Sequence, residues 1–561
     1  MMLRLSIGAL LAASAWAQQD PAVERPRLVV LCAVDQLASW VFEEGRPFFA
    51  ADGGFQRLMK QGTEFGKCAY QHACTETGPG HATIGTGVPA SVHGIVRNAW
   101  WSAQQGKPDG KLVYCVNEPM PALPDLPEGK DRGPGLLRAP TFASSLKKGV
   151  KGSKVASVSW KDRSAILMAG PDADAVVWIE ATTGNLVTNT AWAKTTPAWV
   201  TRFNEERAID GFFGSVWDRS GPEAAYAGLV DDRRYEVAHQ NGTNQHTLPQ
   251  PITGGKLEPA PAYYLQLFAS PQGNTVVRLA AEAAVGGMEL GADATTDLLC
   301  VSFSSTDVVG HVFGPDSVEA RDALLKLDRE LALFFGFLDG AVGAGRWALF
   351  LTADHGVGPT PEAAKAAGRD AGRGLLQTGA RNAAEQELTK RFGKPPEGKH
   401  FFTHVGEFSF YFDQDVLAAL RGERDAAAML LEASHVAAEA AASARGISAA
   451  FATQDLLAPG KEHDALRASL VLALYPGRAG DVQLVVKPYW LDGASPASHG
   501  TPHAYDKEVV AFAIGPGVRA GARIGDAITP GFGAVWFAQM LGLPRAAAVV
   551  DTVPQSLLGG K

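Results

Sequence analysis

Short, nearly unbroken apolar runs recur along the chain, and reactive polar residues follow most of them at once. The runs are Leu28 to Asp35, Val155 to Trp160, Leu298 to Phe303, Trp347 to Thr352 and Val509 to Ile514. Continuous rather than alternating hydrophobicity marks strands covered on both faces, so these read as buried parallel strands. Helical periodicity lies between them, most clearly from Ser317 to Leu338. Strands separated by helices predict an α/β fold, a three-layer αβα sandwich with a mostly parallel, doubly wound sheet and inserted cap segments. Asp35, Lys161 with Arg163, Asp307 with His311, and Asp354 with His355 stand just after such runs. Ligands of open α/β sheets bind beyond the carboxyl ends of the strands, so these clusters are expected to meet at one rim.

The intervals between runs are too long for simple crossovers in a 561-residue chain. One domain over 24–561, with insertions at about 101–150, 168–290 and 360–497, accounts for them. The alanine-rich stretch Arg424 to Arg445 reads as a surface helix. A hydrophobic content of 46% predicts a large core, and a net charge of −8 argues against nucleic acid or an anionic membrane as the main partner. A site for anions must then gather positive charge locally, and metal ions do so compactly. At the N-terminus, Arg4, the apolar run Leu5 to Ala13 and Ala15-Trp16-Ala17 have the form of a signal peptide over 1–17. Export is therefore expected, to the periplasm of a Gram-negative source or to the medium. No later run reaches the roughly 18 apolar residues of a membrane span. The five cysteines contain no C-x-x-C. Cys32 and Cys300 sit in apolar runs as core fillers, while Cys68, Cys74 and Cys115 leave room for one bridge whose pairing the sequence does not specify.

Oxygen and imidazole side chains suit zinc, and sites that keep an open position are catalytic. Taken singly, an aspartate after a strand is commonly a helix cap. Asp35, Asp307 with His311, Asp354 with His355, and His499 in Ser498-His499-Gly500-Thr501 together exceed what caps explain. Thr77, in Thr75-Glu76-Thr77-Gly78-Pro79-Gly80-His81, precedes a helix beginning near Pro79. That position suits an N-cap, but a helix N-terminus also offers free N–H groups to a phosphate. A threonine hydroxyl becomes a nucleophile when a metal lowers its pKa.

These elements, together with His93-Gly94-Ile95, Thr306-Asp307-x-x-Gly310-His311 and Thr352-Ala353-Asp354-His355-Gly356, resemble the signature series of the alkaline phosphatase superfamily, in its order and spread along the chain. The Thr77-to-His81 element resembles the threonine-nucleophile, phosphate-irrepressible branch. The resemblance implies two zinc ions, one held by Asp35, Thr77, Asp354 and His355, the other by Asp307, His311 and His499. It implies that Asn98, Lys161, Arg163 and the Gly78 N–H contact phosphoryl oxygens. His503 competes with His499 as the last ligand, while His72, His81 and His93 are expected to be structural. The implied activity is hydrolysis of small phosphate monoesters through a phosphothreonine. The alternatives are a phosphodiesterase or nucleotide pyrophosphatase on the same scaffold, or a catalytically dead phosphate-binding module. Where the family carries a basic residue and an aspartate after Asp35-Gln36, this chain has Leu37-Ala38-Ser39-Trp40.

Overall fold

The computed structural model describes residues 25–102, 111–233, 235–236, 246–460, 464–545 and 548–559. The signal-peptide segment 1–17 lies outside the described residues. The central sheet has nine strands. In spatial order they are Ala522–Ile528, Thr63–Cys68, Ala511–Ile514, Trp347–Thr352, Leu28–Val34, Asp297–Phe303, Val155–Ser159, Ala175–Ile179 and Leu186–Val187. The four central strands beginning at Trp347, Leu28, Asp297 and Val155 run parallel, and each is wholly buried. Their carboxyl ends therefore share one edge.

Two sets of helices cover this sheet. Thr77–Thr86, Asp162–Ala169, Phe142–Gly149 and Phe532–Leu541 pack among themselves, as do Gly54–Gln61, Pro271–Met288 and Val318–Leu338. The last of these starts on Ser317, whose hydroxyl accepts from the Ala320 N–H as an N-cap.

The final apolar run departs from the expected direction. Ala511–Ile514 pairs antiparallel with both Trp347–Thr352 and Thr63–Cys68. Apolar continuity reports that both faces are covered, not the direction of the strand. The reversal brings the amino end of this strand, and the segment before it, to the edge where the parallel strands end.

Between residues 372 and 492 a second unit forms. Phe402–Gly406, Ser409–Phe412, Val482–Val486 and Ile447–Ala452 make an antiparallel sheet with its own core. The alanine-rich helix, Ala426–Ala442, is not merely superficial. It buries Met429, Ala433, Ala437 and Ala441 at four-residue spacing against Leu376–Phe392. Alanines on that stripe let the two helices approach closely. The bridge left open by the sequence does not form: all five cysteines are buried free thiols. Cys68 faces the Thr352 hydroxyl, Cys74 faces His72, and Cys115 lies beneath Gly78. No described helix is long and apolar enough to cross a membrane.

Candidate metal and phosphoryl site

The parallel strands deliver their polar residues to one place. Asp35 directly follows Leu28–Val34, Asp354 and His355 follow Trp347–Thr352, and Lys161 follows Val155–Ser159. Asp307 and His311 lie one helical turn apart on Ser305–Phe313, so they share a face. His499 arrives on the segment ahead of the antiparallel strand.

The distances are short. His311 Nε2 is 3.2 Å from Asp307 Oδ1 and 3.2 Å from His499 Nε2. His499 Nε2 is 3.6 Å from Asp307 Oδ1. His355 Nε2 is 3.5 Å from Asp35 Oδ1 and 3.4 Å from Asp354 Oδ2. The rings of His355 and His499 stack with centroids 3.6 Å apart. All six residues, Asp35, Asp307, His311, Asp354, His355 and His499, thus form one contiguous group.

Each imidazole is held by its other nitrogen. His311 Nδ1 donates to Ala497 O at 3.0 Å, His355 Nδ1 to Gly356 O at 2.9 Å, and His499 Nδ1 to Thr75 O at 2.8 Å. A carbonyl only accepts, so each Nδ1 carries a hydrogen, and a ring in its neutral form aims an Nε2 lone pair inward. Burial pushes His355 and His499 below the usual histidine range, which keeps them in that neutral form. Although burial opposes it, Asp307 raises His311. The same negative charge that retains a proton there favours a cation. His503 is turned elsewhere, with Nε2 on Val486 O at 2.9 Å.

Three atoms test whether metal fits. Asp35 Oδ1, Asp354 Oδ2 and His355 Nε2 are buried and make no hydrogen bond, yet they converge within the distances above. An unsatisfied buried polar atom costs about 1–3 kcal/mol. Three together fit the ligand atoms of a cation better than three separate defects. Burial, with Asp354 and Asp307 adding to it, pushes the Asp35 carboxyl well above its ordinary range. Lys161 counters this: its Nζ lies 2.6 Å from both Asp35 Oδ2 and Asp307 Oδ2. Two donor triplets have the compactness of metal ligands, Asp307 with His355 and His499, and Asp35 with Asp354 and His81. His81 does not supply a lone pair, because its Nδ1 donates to Thr77 O at 2.8 Å and its Nε2 meets Ser302 Oγ. Its place 3.2 Å from Asp354 Oδ2 instead fixes that carboxylate.

Thr77 opens the helix Thr77–Thr86 beside this group. Its Oγ1 is 3.3 Å from Arg163 Nη2. Asn98 Oδ1 accepts from the Gly78 N–H at 2.7 Å, which leaves the Asn98 amide group free to donate. Gly80 is required by packing: a Cβ there would fall 2.0 Å from Asp354 O.

Sequence reasoning missed three supporting residues. Glu76 accepts from the Asn98 N–H at 2.7 Å and from Arg97 Nη1 at 2.8 Å, and so ties the start of the helix Thr77–Thr86 to the Arg97–Asn98 segment. Gln36, at a positive φ of 68°, donates from Nε2 to Asp307 Oδ1 and from its backbone to Asp354 Oδ1. Tyr114 meets Arg163 Nη1 and donates to Asp162 Oδ1. Adjacency to Thr77 and Asp35 was the only available signal for Glu76 and Gln36.

Residues 29–500 match the family described as type I phosphodiesterase / nucleotide pyrophosphatase. A protein of Myroides odoratus named a calcium-transporting ATPase is 30% identical, with 89% of this chain and 89% of that protein covered. The alkaline phosphatase PhoV of Synechococcus elongatus is 34% identical, over 64% of this chain and 66% of its own. The crystal structure of alkaline phosphatase PafA superposes with a TM-score of 0.84 at 26% identity, covering 96% of this chain and all of that one. With its ligand-like residues gathered at the carboxyl edge of the shared sheet, the chain belongs to the type I phosphodiesterase / nucleotide pyrophosphatase family of the alkaline phosphatase superfamily.

Proposed function

We propose that this protein is an alkaline phosphatase that uses two zinc ions and hydrolyses phosphate monoesters through a phosphothreonine at Thr77. The convergence of Asp35 Oδ1, Asp354 Oδ2 and His355 Nε2, buried and unbonded, carries the reading. Similarity to PhoV and PafA, both named alkaline phosphatases, supports the reaction class. Carboxylates and imidazoles without cysteine are a zinc-compatible donor set. Asp35, Thr77, Asp354 and His355 would hold one ion, and Asp307, His311 and His499 the other. Bound zinc would supply the Lewis acidity that makes a hydroxyl nucleophilic near neutral pH and that stabilises a departing alkoxide.

The chain's own groups do the rest. Thr77 Oγ attacks phosphorus in line and the alcohol leaves. Arg163, already within reach of Thr77 Oγ1, binds phosphoryl oxygens through its planar fork. Lys161 bridges Asp35 and Asp307; with those carboxylates engaged in holding metal, its ammonium would be the group that turns to a phosphoryl oxygen. Asn98 donates from its free amide, while its Oδ1 holds the Gly78 N–H and so fixes the amide beside Thr77. Water then cleaves the phosphothreonine. Two cations in place favour a dianionic monoester over a diester.

Acid quench during turnover of a radiolabelled monoester tests the reading. Label recovered on Thr77 is expected, and turnover with no labelled protein would sink the covalent route. The N-terminal sequence supports export, and a mature protein beginning at Gln18 is the expected result of N-terminal sequencing.

A further inference from the structure

A cleft open to solvent adjoins the proposed metal cage, and His499 lies in the wall between them. The lining is strongly aromatic: Phe408, Tyr489, Trp490 and Tyr505, with Pro359 and Pro361.

The aromatic wall is built rather than accidental. Tyr505 is pressed on Gly358, where a Cβ would come 2.9 Å from its ring. Its hydroxyl accepts from the Tyr489 N–H at 3.1 Å, and the two rings lie 5.3 Å apart. Tyr489 takes a left-handed φ of 65° and Phe408 one of 57°. Bulky residues rarely adopt that region, which costs roughly 1–2 kcal/mol each. Glu407 and Phe408 form the two-residue turn between Phe402–Gly406 and Ser409–Phe412, where glycine or asparagine is normal. Two separate loops thus hold aromatic side chains at a disfavoured backbone angle, and both line this cleft. Strain retained at one place points to function there.

We infer that this cleft is the subsite for the alcohol portion of the ester and that it selects planar, ring-bearing alcohols. The inference rests on the proposed phosphatase reading, in which the ion held by Asp307, His311 and His499 faces the leaving oxygen. The cleft begins at His499, so the group attached to that oxygen extends into it. Rings stack well on aromatic faces, whereas a small polyol gains little there. The described lining contains no lysine or arginine to hold a second phosphate, so the inference concerns rings rather than polyphosphates.

The test compares kcat/KM for phenyl phosphate, a nucleoside 5′-monophosphate and glycerol phosphate in the wild type, Tyr489→Gly and Phe408→Gly. Glycine accepts the left-handed backbone, and the two positions lie on separate loops, so one misfolded variant leaves the other informative. The ring-bearing to glycerol ratio is expected to fall about 3- to 10-fold per ring removed. A fall for the nucleotide alone assigns the cleft to a base, and a fall for both assigns it to any planar ring. Unchanged ratios for both substrates in folded variants overturn the inference. A wild-type enzyme that hydrolyses none of the three, or that phosphate fails to inhibit, overturns the phosphatase reading instead.

Discussion

Arg163→Ala should separate phosphoryl recognition from folding. The guanidinium lies 3.3 Å from Thr77 Oγ1 through Nη2, and among the described residues its other side-chain partner is the Tyr114 hydroxyl at 3.3 Å through Nη1. That hydroxyl keeps a 2.6 Å bond to Asp162 when Arg163 is removed. Arg163 Nε has no partner, so truncation also deletes a buried unsatisfied donor. The fold should therefore lose little, and the thermal midpoint should move by no more than a few degrees. The reaction loses two charge-assisted hydrogen bonds, each worth about 1.5–3 kcal/mol. At about 1.4 kcal/mol per decade, kcat/KM on an aryl monoester should drop on the order of 10² to 10⁴-fold. A diester presents one fewer charged oxygen to the fork and should lose about tenfold less. Steady-state kinetics on phenyl phosphate and on its methyl diester, with the same protein preparation, give both numbers. Equal losses on the two esters would show that Arg163 does not read the extra charge, and the monoester argument would fail.

Thr77→Ala should lose nearly all turnover while retaining metal, by elemental analysis, and phosphate, by calorimetry; near-normal rates would reassign the nucleophile. Chelator treatment should abolish activity and lower the thermal midpoint, because Asp35, Asp307 and Asp354 are left buried close together. Zinc should restore both, and full activity in metal-free protein would refute the cage. Gly80→Ala should give little soluble protein, since the new Cβ collides with Asp354 O at 2.0 Å, and expression yield reads this directly. Glu319, buried with both oxygens unpartnered, is pushed up to about 8 by burial and by Glu236 and Asp231. A raised carboxyl binds its proton more tightly in the folded state, so its favourable contribution is present at acid pH. That contribution fades as pH climbs from about 4.5 through about 8. Glu319→Gln should therefore raise the thermal midpoint at pH 9 by a few degrees relative to wild type; a larger gain at pH 5 would contradict the sign.

The catalytic edge was legible because strand ends are where sequence and topology coincide. An apolar run that stops at Asp35 or at Asp354 announces both a buried strand and the rim beyond it. Strand direction was not legible: Ala511–Ile514 reads the same in either sense, and only pairing with Thr63–Cys68 and Trp347–Thr352 fixes it. Partners distant in the chain were equally silent. Glu76 acquires its role from Arg97 and Asn98, and His81 from Asp354, through contacts that no local spacing encodes. The cysteines misled because a thiol count cannot show which side chains are walled off from one another in a core. The alanine-rich helix misled because small residues suit a tight helix pair as well as a solvated face.

The reversed strand at residues 511–514 also governs when the molecule can mature. Among the described residues it is followed by Ala522–Ile528, which pairs beside Thr63–Cys68, the helix Phe532–Leu541 and a short helical turn at Gln555–Leu557. His499 is drawn to the rim by this late segment, whereas Asp35 emerges near the start. A nascent chain therefore lacks the last member of the cluster until residue 499 has been made, and no amino-terminal fragment ending before it can assemble all six residues. Completion of the cluster becomes a property of the nearly full-length polypeptide, and proteolysis near the carboxyl end is a more damaging cut than its distance from Thr77 in the sequence implies.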